Sequence, residues 1–305
     1  PFNKQFIPGH EYMGTVVKLG TSVDEIEVGE RVAVEIHAGG GRCKRCRQGM
    51  YTSCHNYGKN YGDQDKGHRA NGYTTDGGFT EYAVNNINTL IRVPEGISDE
   101  EATLIVTAGT ATYGLDVLGG LIAGESVVVT GGGPIGLLAI AVAKTLGAAP
   151  VILTDIENNR LEIGRELGAD ITLNARDVNV VEEVRKISGG PGCDYVMECS
   201  GAPNALNEAA DMVSRGGRIC LAAFAAQPVT FDPAKLVMDN IYMFGIRGEG
   251  KSAVKRAGSL MAQGRINAKP IHTHTFGLNE VPTAIKYARE KIDGAIKVVI
   301  KMREA

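Results

Sequence analysis

Ser126-Val127-Val128-Val129-Thr130-Gly131-Gly132-Gly133-Pro134-Ile135-Gly136 is the stretch that decides the fold. Four of its first five residues, Val127–Thr130, are β-branched, as suits a buried strand. Gly131, Gly133 and Gly136 then match G-x-G-x-x-G, and Pro134 opens a segment with helical apolar spacing to Leu146. A glycine triplet alone is a weak signal; between a strand and a helix it stands in the context that dinucleotide binding needs. The first glycine permits the tight turn, the second admits a pyrophosphate, and the third lets helix and strand approach. The helix start adds unpaired N–H groups and a partial positive charge for phosphates. The other reading is a plain strand–turn–helix corner.

Working outward, Asp155 ends the next strand, nineteen residues beyond Gly136. A carboxylate there accepts hydrogen bonds from adenosine ribose hydroxyls and repels a 2′-phosphate, favouring NAD over NADP. Arg160 qualifies that preference, since a nearby cation tolerates the phosphate. Alternation continues: strands at Val151–Thr154, Ile171–Leu173, Tyr195–Met197, Arg218–Leu221 and Ile241–Gly245, with helices at Arg160–Leu167, Val178–Ile187 and around Ala205–Val213. Strands alternating with helices imply an α/β fold with a doubly wound parallel sheet covered on both faces.

Before residue 115 the texture differs. Short β runs at Gly14–Leu19, Arg31–Ile36, Gly78–Val84 and Thr89–Val93 are separated by Gly, Asp and Asn turns. Between them His37–Asp76 is polar, Gly-rich and holds Cys43, Cys46 and Cys54, a long irregular lobe of the kind that is functional or metal-stapled. After Lys251, a helix, a strand near Ile271–Phe276, a helix at Glu280–Arg289 and a strand Ala295–Lys301 break the alternation and are expected to return to the first domain.

Composition excludes several classes. A formal charge of -3 offers no basic stripe for nucleic acid. There is no apolar run long enough for a membrane span and no signal-peptide pattern at Pro1. Three of six cysteines packed into Cys43–Cys54 suit metal ligation better than a disulfide framework, so the cytoplasm is the expected location. Cys193, Cys199 and Cys220 fall on or beside strands and read as small core residues. His272 and His274 alternate on a strand and are assigned no chemistry. An opening Pro1 suggests that residue 1 is not the natural start.

Taken in order, Gly9-His10-Glu11-Tyr12-Met13-Gly14-Thr15-Val16, Val28-Gly29-Glu30-Arg31-Val32, the cysteine lobe, Gly77-Gly78-Phe79-Thr80-Glu81-Tyr82, and the glycine motif with Asp155 resemble the zinc-dependent medium-chain alcohol dehydrogenases, on their sorbitol and threonine dehydrogenase side. The resemblance covers nearly the whole chain. It implies a GroES-like β-rich catalytic domain over 1–115, its N-terminal part missing, completed by 251–305, and a Rossmann NAD-binding domain over 116–250, with the active site between them. It also implies a catalytic zinc held by His10, with Glu11 its neighbour or alternate ligand; an open-site zinc acts as a Lewis acid on the alcohol while hydride leaves for the nicotinamide.

Two departures accompany the resemblance. The family's first zinc-binding Cys lies further upstream than the nine residues preceding His10, and the third ligand position aligns with Thr107, a poor ligand. Glu11 entering the ligand set is one resolution. In the lobe, Cys43-x2-Cys46-x7-Cys54 lacks the first cysteine of the family's C-x2-C-x2-C-x7-C, where Gly40 stands. A structural zinc there needs a fourth ligand such as His55 or water; the alternative is an empty lobe of three free cysteines. By position, Thr107 and Thr110 are candidates for the nicotinamide end, Ser200-Gly201 for backbone contact with the cofactor, Arg247 for cofactor or substrate, and Asp76, Tyr82 and the His68-Arg69 pair for the substrate cleft.

The reading is therefore NAD-dependent, zinc-assisted, reversible oxidation of a polyol or secondary alcohol to a ketone. A zinc-free NAD(P)H reductase of the same superfamily and a non-catalytic NAD-binding protein are the alternatives. The family also implies a homo-dimer or homo-tetramer, with Ile241–Ile246 at the interface.

Overall fold

The computed structural model describes residues 6–55, 70–117, 120–248 and 251–302; His68 and Arg69 lie outside them. Three short strands, β1 (Tyr12–Thr15), β2 (Arg31–Val34) and β3 (Leu90–Arg92), pair antiparallel in the order β1-β2-β3, with Tyr12 opposite Val34 and Val34 opposite Leu90. Val32, Ala33 and Val34 of the central strand are all buried. The cysteine lobe supplies one helical turn, α1 (Lys44–Arg47).

Residues 78–84, expected as a strand, form none. Gly77 N, Gly78 N and Phe79 N donate to the carbonyls of Ile7, Gly9 and Pro8, and Val84 is 97% exposed, so no buried face drives a ladder. Glycine is obligatory in that crossing, because a Cβ on Gly77 would lie 2.0 Å from Gly9 O.

Helix α2 (Asp99–Ala102) starts at Ser98 with a reciprocal capping box: Ser98 Oγ accepts from Glu101 N, and the Glu101 carboxylate from Ser98 N. Helix α3 (Ile105–Asp116) is apolar on most of its circumference, and most of its residues are buried, as expected for an internal helix.

Beyond it β4 (Val127–Thr130), α4 (Pro134–Thr145), β5 (Val151–Asp155), α5 (Asn158–Glu166), β6 (Ile171–Asn174), α6 (Val180–Ile187), β7 (Cys193–Glu198), α7 (Ala205–Met212), β8 (Val213–Leu221), α8 (Ala234–Asp239) and β9 (Tyr242–Gly245) alternate. The six strands form one parallel sheet in the order β6-β5-β4-β7-β8-β9. Every residue of β4 is buried, which suits a strand with neighbours on both sides and helices on both faces. The strand order reverses between β4 and β7, so the carboxyl end of β4 is the topological switch point where such sheets bind ligands. Val128, Ile152, Val196 and Ile219 join the α6 and α7 residues Val184 and Ala209 in one core; each large apolar side chain buried there contributes about 1.5–3 kcal/mol. Strand β8 starts earlier than the expected Arg218, at Val213, and continues through Gly216 and Gly217.

The remainder is α9 (Lys251–Ala262), β10 (His272–Gly277), α10 (Val281–Glu290) and β11 (Lys297–Lys301), with β10 and β11 parallel and α10 their crossover. His272 Nε2 pairs with Thr275 Oγ1 at 2.8 Å, and the His274 ring packs on Phe276 and Tyr287. The chain divides into two units: residues 1–109, 248–263 and 272–305 form one, and residues 110–247 with 264–271 the other. No helix among the described residues is long and apolar enough to cross a membrane.

Candidate functional site

The glycine turn after β4 is built by contacts that exclude side chains. Gly131 has φ +90°, and a Cβ on it would lie 2.8 Å from Ser200 Cα. A Cβ on Gly136 would stand 1.9 Å from Gly131 O, so that position admits only glycine in this geometry. Gly133 is the opposite case: nothing lies within 4 Å of its Cβ direction. Gly133 also caps α4 without a side-chain acceptor, leaving the helix's first N–H groups to an external partner. Bare backbone, open space and unpaired donors at a helix start are what a pyrophosphate fits.

Asp155, only 8% exposed, latches this turn. One carboxylate oxygen accepts from Gly132 N at 2.6 Å; the other accepts from Ile156 N and Glu157 N at 2.7 and 2.8 Å. Arg160 Nη1 lies 3.9 Å from the same carboxylate. A carboxylate has about four acceptor positions, so three N–H bonds leave it able to take a further hydroxyl. Gly131, Gly136, Asp155, Arg160 and Ser200 thus gather around one turn, while Thr110 is placed by α3.

The sequence reading passed over Glu198, which is buried at the end of β7. Its Oε1 accepts from Ser200 N and Ser200 Oγ, both at 2.6 Å, from Gly201 N at 2.9 Å, and from Thr130 Oγ1 at 3.3 Å. It ties the ends of β4 and β7 together and fixes the Ser200 turn against Gly131. The signal was an acid closing the apolar run Tyr195-Val196-Met197.

In the other unit, His10 and Glu11 immediately precede β1. Three glycines bring the Asn71–Gly77 loop against them: Cβ atoms on Gly72 and Gly77 would lie 2.5 and 2.0 Å from Gly9 O. Asp76 accepts from Ile7 N at 2.8 Å, so here it ties the chain. His10 Nε2 meets Tyr73 OH at 3.2 Å, with the rings 4.7 Å apart. Burial lowers the His10 pKa; the Glu11 charge opposes this and Lys297 adds to it. The imidazole is therefore neutral at neutral pH.

Glu11 has both oxygens engaged. Thr107 Oγ1 donates to Oε1 at 2.8 Å, and the Lys297 ammonium donates to Oε2. Burial alone would raise the Glu11 carboxyl; the charge and hydrogen bond of Lys297, with smaller help from His10 and Thr107, outweigh it and hold the pKa at about 2. Lys297 was missed, although a lysine inside the apolar run Ala295–Val299 is itself a signal.

A catalytic zinc needs three protein ligands and an open position. Here the described residues bring one neutral imidazole, while Glu11 and Thr107 are committed to each other and to Lys297. Among the described residues they do not by themselves form a catalytic zinc site. Tyr82 and Arg247 are exposed.

The cysteine lobe does fit a metal. Ligand atoms of Cys43, Cys46 and Cys54 lie within 4.8 Å of one another, the one such group of three or more among the described residues. Cys43 caps α1, and its Sγ accepts from Cys46 N and His55 N at 3.5 and 3.4 Å. Although burial opposes ionisation, these N–H groups bring the Cys43 thiol down to about 6. Burial, then the neighbouring sulfurs, push Cys46 up to about 11. Three sulfurs with backbone N–H groups aimed at them are a donor set for a soft divalent ion. Burial likewise pushes Cys193 and Cys220 up to about 12, the behaviour of inert core thiols.

Fold and sites together define a zinc-binding dehydrogenase with a GroES-like part and a Rossmann part. The family models agree: alcohol dehydrogenase GroES-like domain matches residues 1–95, and zinc-binding dehydrogenase matches 134–263. L-threonine 3-dehydrogenase of Pyrococcus horikoshii is 38% identical over 301 residues, 97% of this chain and 82% of that protein. Among solved structures, an alcohol dehydrogenase from Escherichia coli CFT073 complexed with NADH is 27% identical, with TM-score 0.84, over 95% of this chain and 82% of that one. A putative zinc-binding dehydrogenase from Sinorhizobium meliloti 1021 bound to NADP is 26% identical, with TM-score 0.84, over 99% and 85%. The chain belongs to the zinc-dependent medium-chain alcohol dehydrogenase family and is an oxidoreductase.

Proposed function

We propose that the protein oxidises a secondary hydroxyl group to a ketone, reversibly, by passing its hydride to NAD. The observation that carries this reading is the Asp155 carboxylate, buried and hydrogen-bonded to the glycine turn at Gly132 N. A 2′-phosphate would meet that fixed negative charge, and Arg160, the nearby cation, already faces it at 3.9 Å. In this reading Gly131, Gly133 and Gly136 carry the pyrophosphate, Ser200 and Thr110 contact the cofactor, and the α4 N-terminus supplies donors. The threonine dehydrogenase relative supports a secondary alcohol, since the threonine hydroxyl is one; polyols share that group.

On the substrate side, His10 offers a neutral nitrogen partnered by Tyr73, and Glu11 offers a negative charge oriented by Lys297 and Thr107. His10 is assigned to the reacting hydroxyl, and Glu11 and Thr107 to its orientation. The domain division follows the same reading: a GroES-like part over 1–115 completed by 251–305, and a nucleotide part over 116–250.

One observation favours a second reading, hydride transfer without a catalytic zinc. Thr107, at the family's third ligand position, donates to Glu11 at 2.8 Å, so neither stands ready as a ligand. The deciding assay is NADH formation by the full chain with L-threonine, butanediol and polyols, with NAD against NADP, alongside zinc content. Activity that prefers NAD and needs zinc supports the first reading. Activity that persists at one zinc per chain, that zinc being the one lost in Cys46→Ser, supports the second. Cofactor binding without turnover on any alcohol refutes both and leaves a non-catalytic NAD-binding protein.

The six free cysteines support a reducing location, the cytoplasm. Strand β9 is the outer strand of its sheet, with Val237, Met238 and Tyr242 exposed around it; this supports a homo-dimer or homo-tetramer that joins there. A monomer by sedimentation at micromolar concentration would contradict it.

A further inference from the structure

We propose that Cys43 is an oxidation site: a peroxide oxidises its sulfur, Cys46 resolves the product into a Cys43–Cys46 disulfide, and the lobe gives up its metal ion. The inference concerns the lobe alone and does not rest on the proposed reaction.

A cysteine that binds a metal does so as thiolate, the same form that attacks a peroxide. The three sulfurs of the lobe differ in their surroundings. Cys43 is half-buried, whereas Cys46 and Cys54 are each 4% exposed. Gly39 and Tyr51 close off Cys46: a Cβ on Gly39 would lie 2.9 Å from Cys46 Sγ and 2.4 Å from Tyr51 Cδ1. Peroxide therefore meets Cys43 first. The exposed cations Arg42, Lys44 and Arg45 stand beside it in the chain, the electropositive and partly open setting that reactive cysteines occupy. The resolving sulfur is already in place. Cys46 Sγ lies 3.5 Å from Cys43 Sγ, so bonding needs a movement below about 2 Å. One helical turn holds the pair, with Cys46 N donating to Cys43 Sγ and Arg47 N to Cys43 O at 3.1 Å.

The chemistry balances with hydrogen peroxide as the oxidant. The Cys43 thiolate attacks one peroxide oxygen, the O–O bond breaks, and a sulfenic acid and a hydroxide form. The Cys46 thiolate then attacks the sulfenic sulfur, the S–O bond breaks, and a second hydroxide leaves as the disulfide forms. The sulfurs lose two electrons, the peroxide gains them, and two protons from solvent complete two waters. Two of the three sulfurs are then no longer thiolates, so the divalent ion leaves with its charge unchanged. A ring closed between Cys43 and Cys46 is short and constrains the unfolded chain little, so a small dithiol reverses it. Elsewhere burial pushes Cys193 and Cys220 up to about 12 and raises Cys199 as well. Those thiols stay protonated and do not compete.

The test uses the full chain, loaded with zinc and exposed to hydrogen peroxide. A chromogenic chelator follows zinc release, and mass spectrometry of alkylated peptides maps the blocked thiols. The parent is expected to release one zinc for each Cys43–Cys46 link formed. It should lose those two thiols at least about tenfold faster than Cys193 and Cys220, and recover both with dithiothreitol and zinc. Cys46→Ser is expected to carry Cys43 on to the sulfinic acid, which dithiothreitol does not reverse. Cys54→Ser keeps the attacked and the resolving sulfur and must still form the link. A lobe that takes up no zinc, seen as equal zinc content in the parent and Cys46→Ser, overturns the proposal. So does a link that joins Cys43 to Cys54, or zinc release with Cys43 over-oxidised and no link. Core thiols lost as fast as those of the lobe overturn it too. The mapping of the parent stands alone should a variant fail to fold.

Discussion

Replacing Lys297 with methionine removes the ammonium that holds Glu11. The pair is largely enclosed, with side-chain exposures of 10% for Lys297 and 31% for Glu11. The fall of the Glu11 carboxyl from its ordinary 4.5 to about 2 is worth about 3 kcal/mol at ~1.4 kcal/mol per pH unit. Partial exposure trims this to about 2 kcal/mol. Because the folded-state pKa is depressed, the contribution is complete above the ordinary value and disappears as pH falls through about 2. In Lys297→Met the carboxylate keeps one hydroxyl donor, Thr107, and burial then dominates and raises its pKa. Urea unfolding of the metal-free chain, followed by far-ultraviolet circular dichroism because there is no Trp, should show the variant about 2 kcal/mol less stable at neutral pH. The gap should shrink by half or more near about pH 3. Two units require a fit that does not assume one transition. A gap below about 0.5 kcal/mol at neutral pH, or one of equal size in acid, would refute the reasoning.

Gly136→Ala places a methyl group 1.9 Å from Gly131 O; the expected results are a loss of about 1–3 kcal/mol in stability and NADH binding, read by NADH fluorescence, weakened about tenfold or more. Gly133→Ala has no protein atom within 4 Å to meet, so it should unfold like the parent yet bind NADH more weakly; unchanged binding would remove Gly133 from the phosphate site. Ser98→Ala breaks the capping box of α2 and should cost about 1 kcal/mol in the same unfolding assay. Glu198→Gln replaces a buried acceptor of four hydrogen bonds and should cost about 1–3 kcal/mol while shifting the amide resonances of Ser200 and Gly201.

The nucleotide part was legible because its signals are local. β-branched runs, helical spacing and a glycine turn each operate within a few residues, and Gly131, Gly136 and Asp155 meet as their spacing implied. Residues 78–84 misled because alternation implies a ladder only where a face is buried; glycine-mediated bonds to Ile7, Pro8 and Gly9 took its place. The partners of His10 and Glu11 were illegible for a different reason. Tyr73 and Lys297 come from remote segments, and no periodicity links Lys297 to Glu11, 286 residues away. Thr107, read as a poor ligand at the third position and a candidate for the nicotinamide end, donates its hydroxyl to Glu11, a pairing that no sequence pattern announces.

That 286-residue span also bears on how the protein is made. Residues 110–247 of the parallel-sheet unit are contiguous, whereas the other unit draws on residues 1–109, 248–263 and 272–305. On the ribosome, the sheet has all six strands once β9 has emerged. Glu11, synthesised 286 residues before Lys297, stays hydrated and titrates as an ordinary carboxylate until β11 arrives with its lysine. Loop closure over so many residues is slow and uphill until contacts reward it. The nascent GroES-like unit is therefore the late-closing part of the molecule, and the period before β11 emerges is when its unfinished core is exposed to proteases and to other chains.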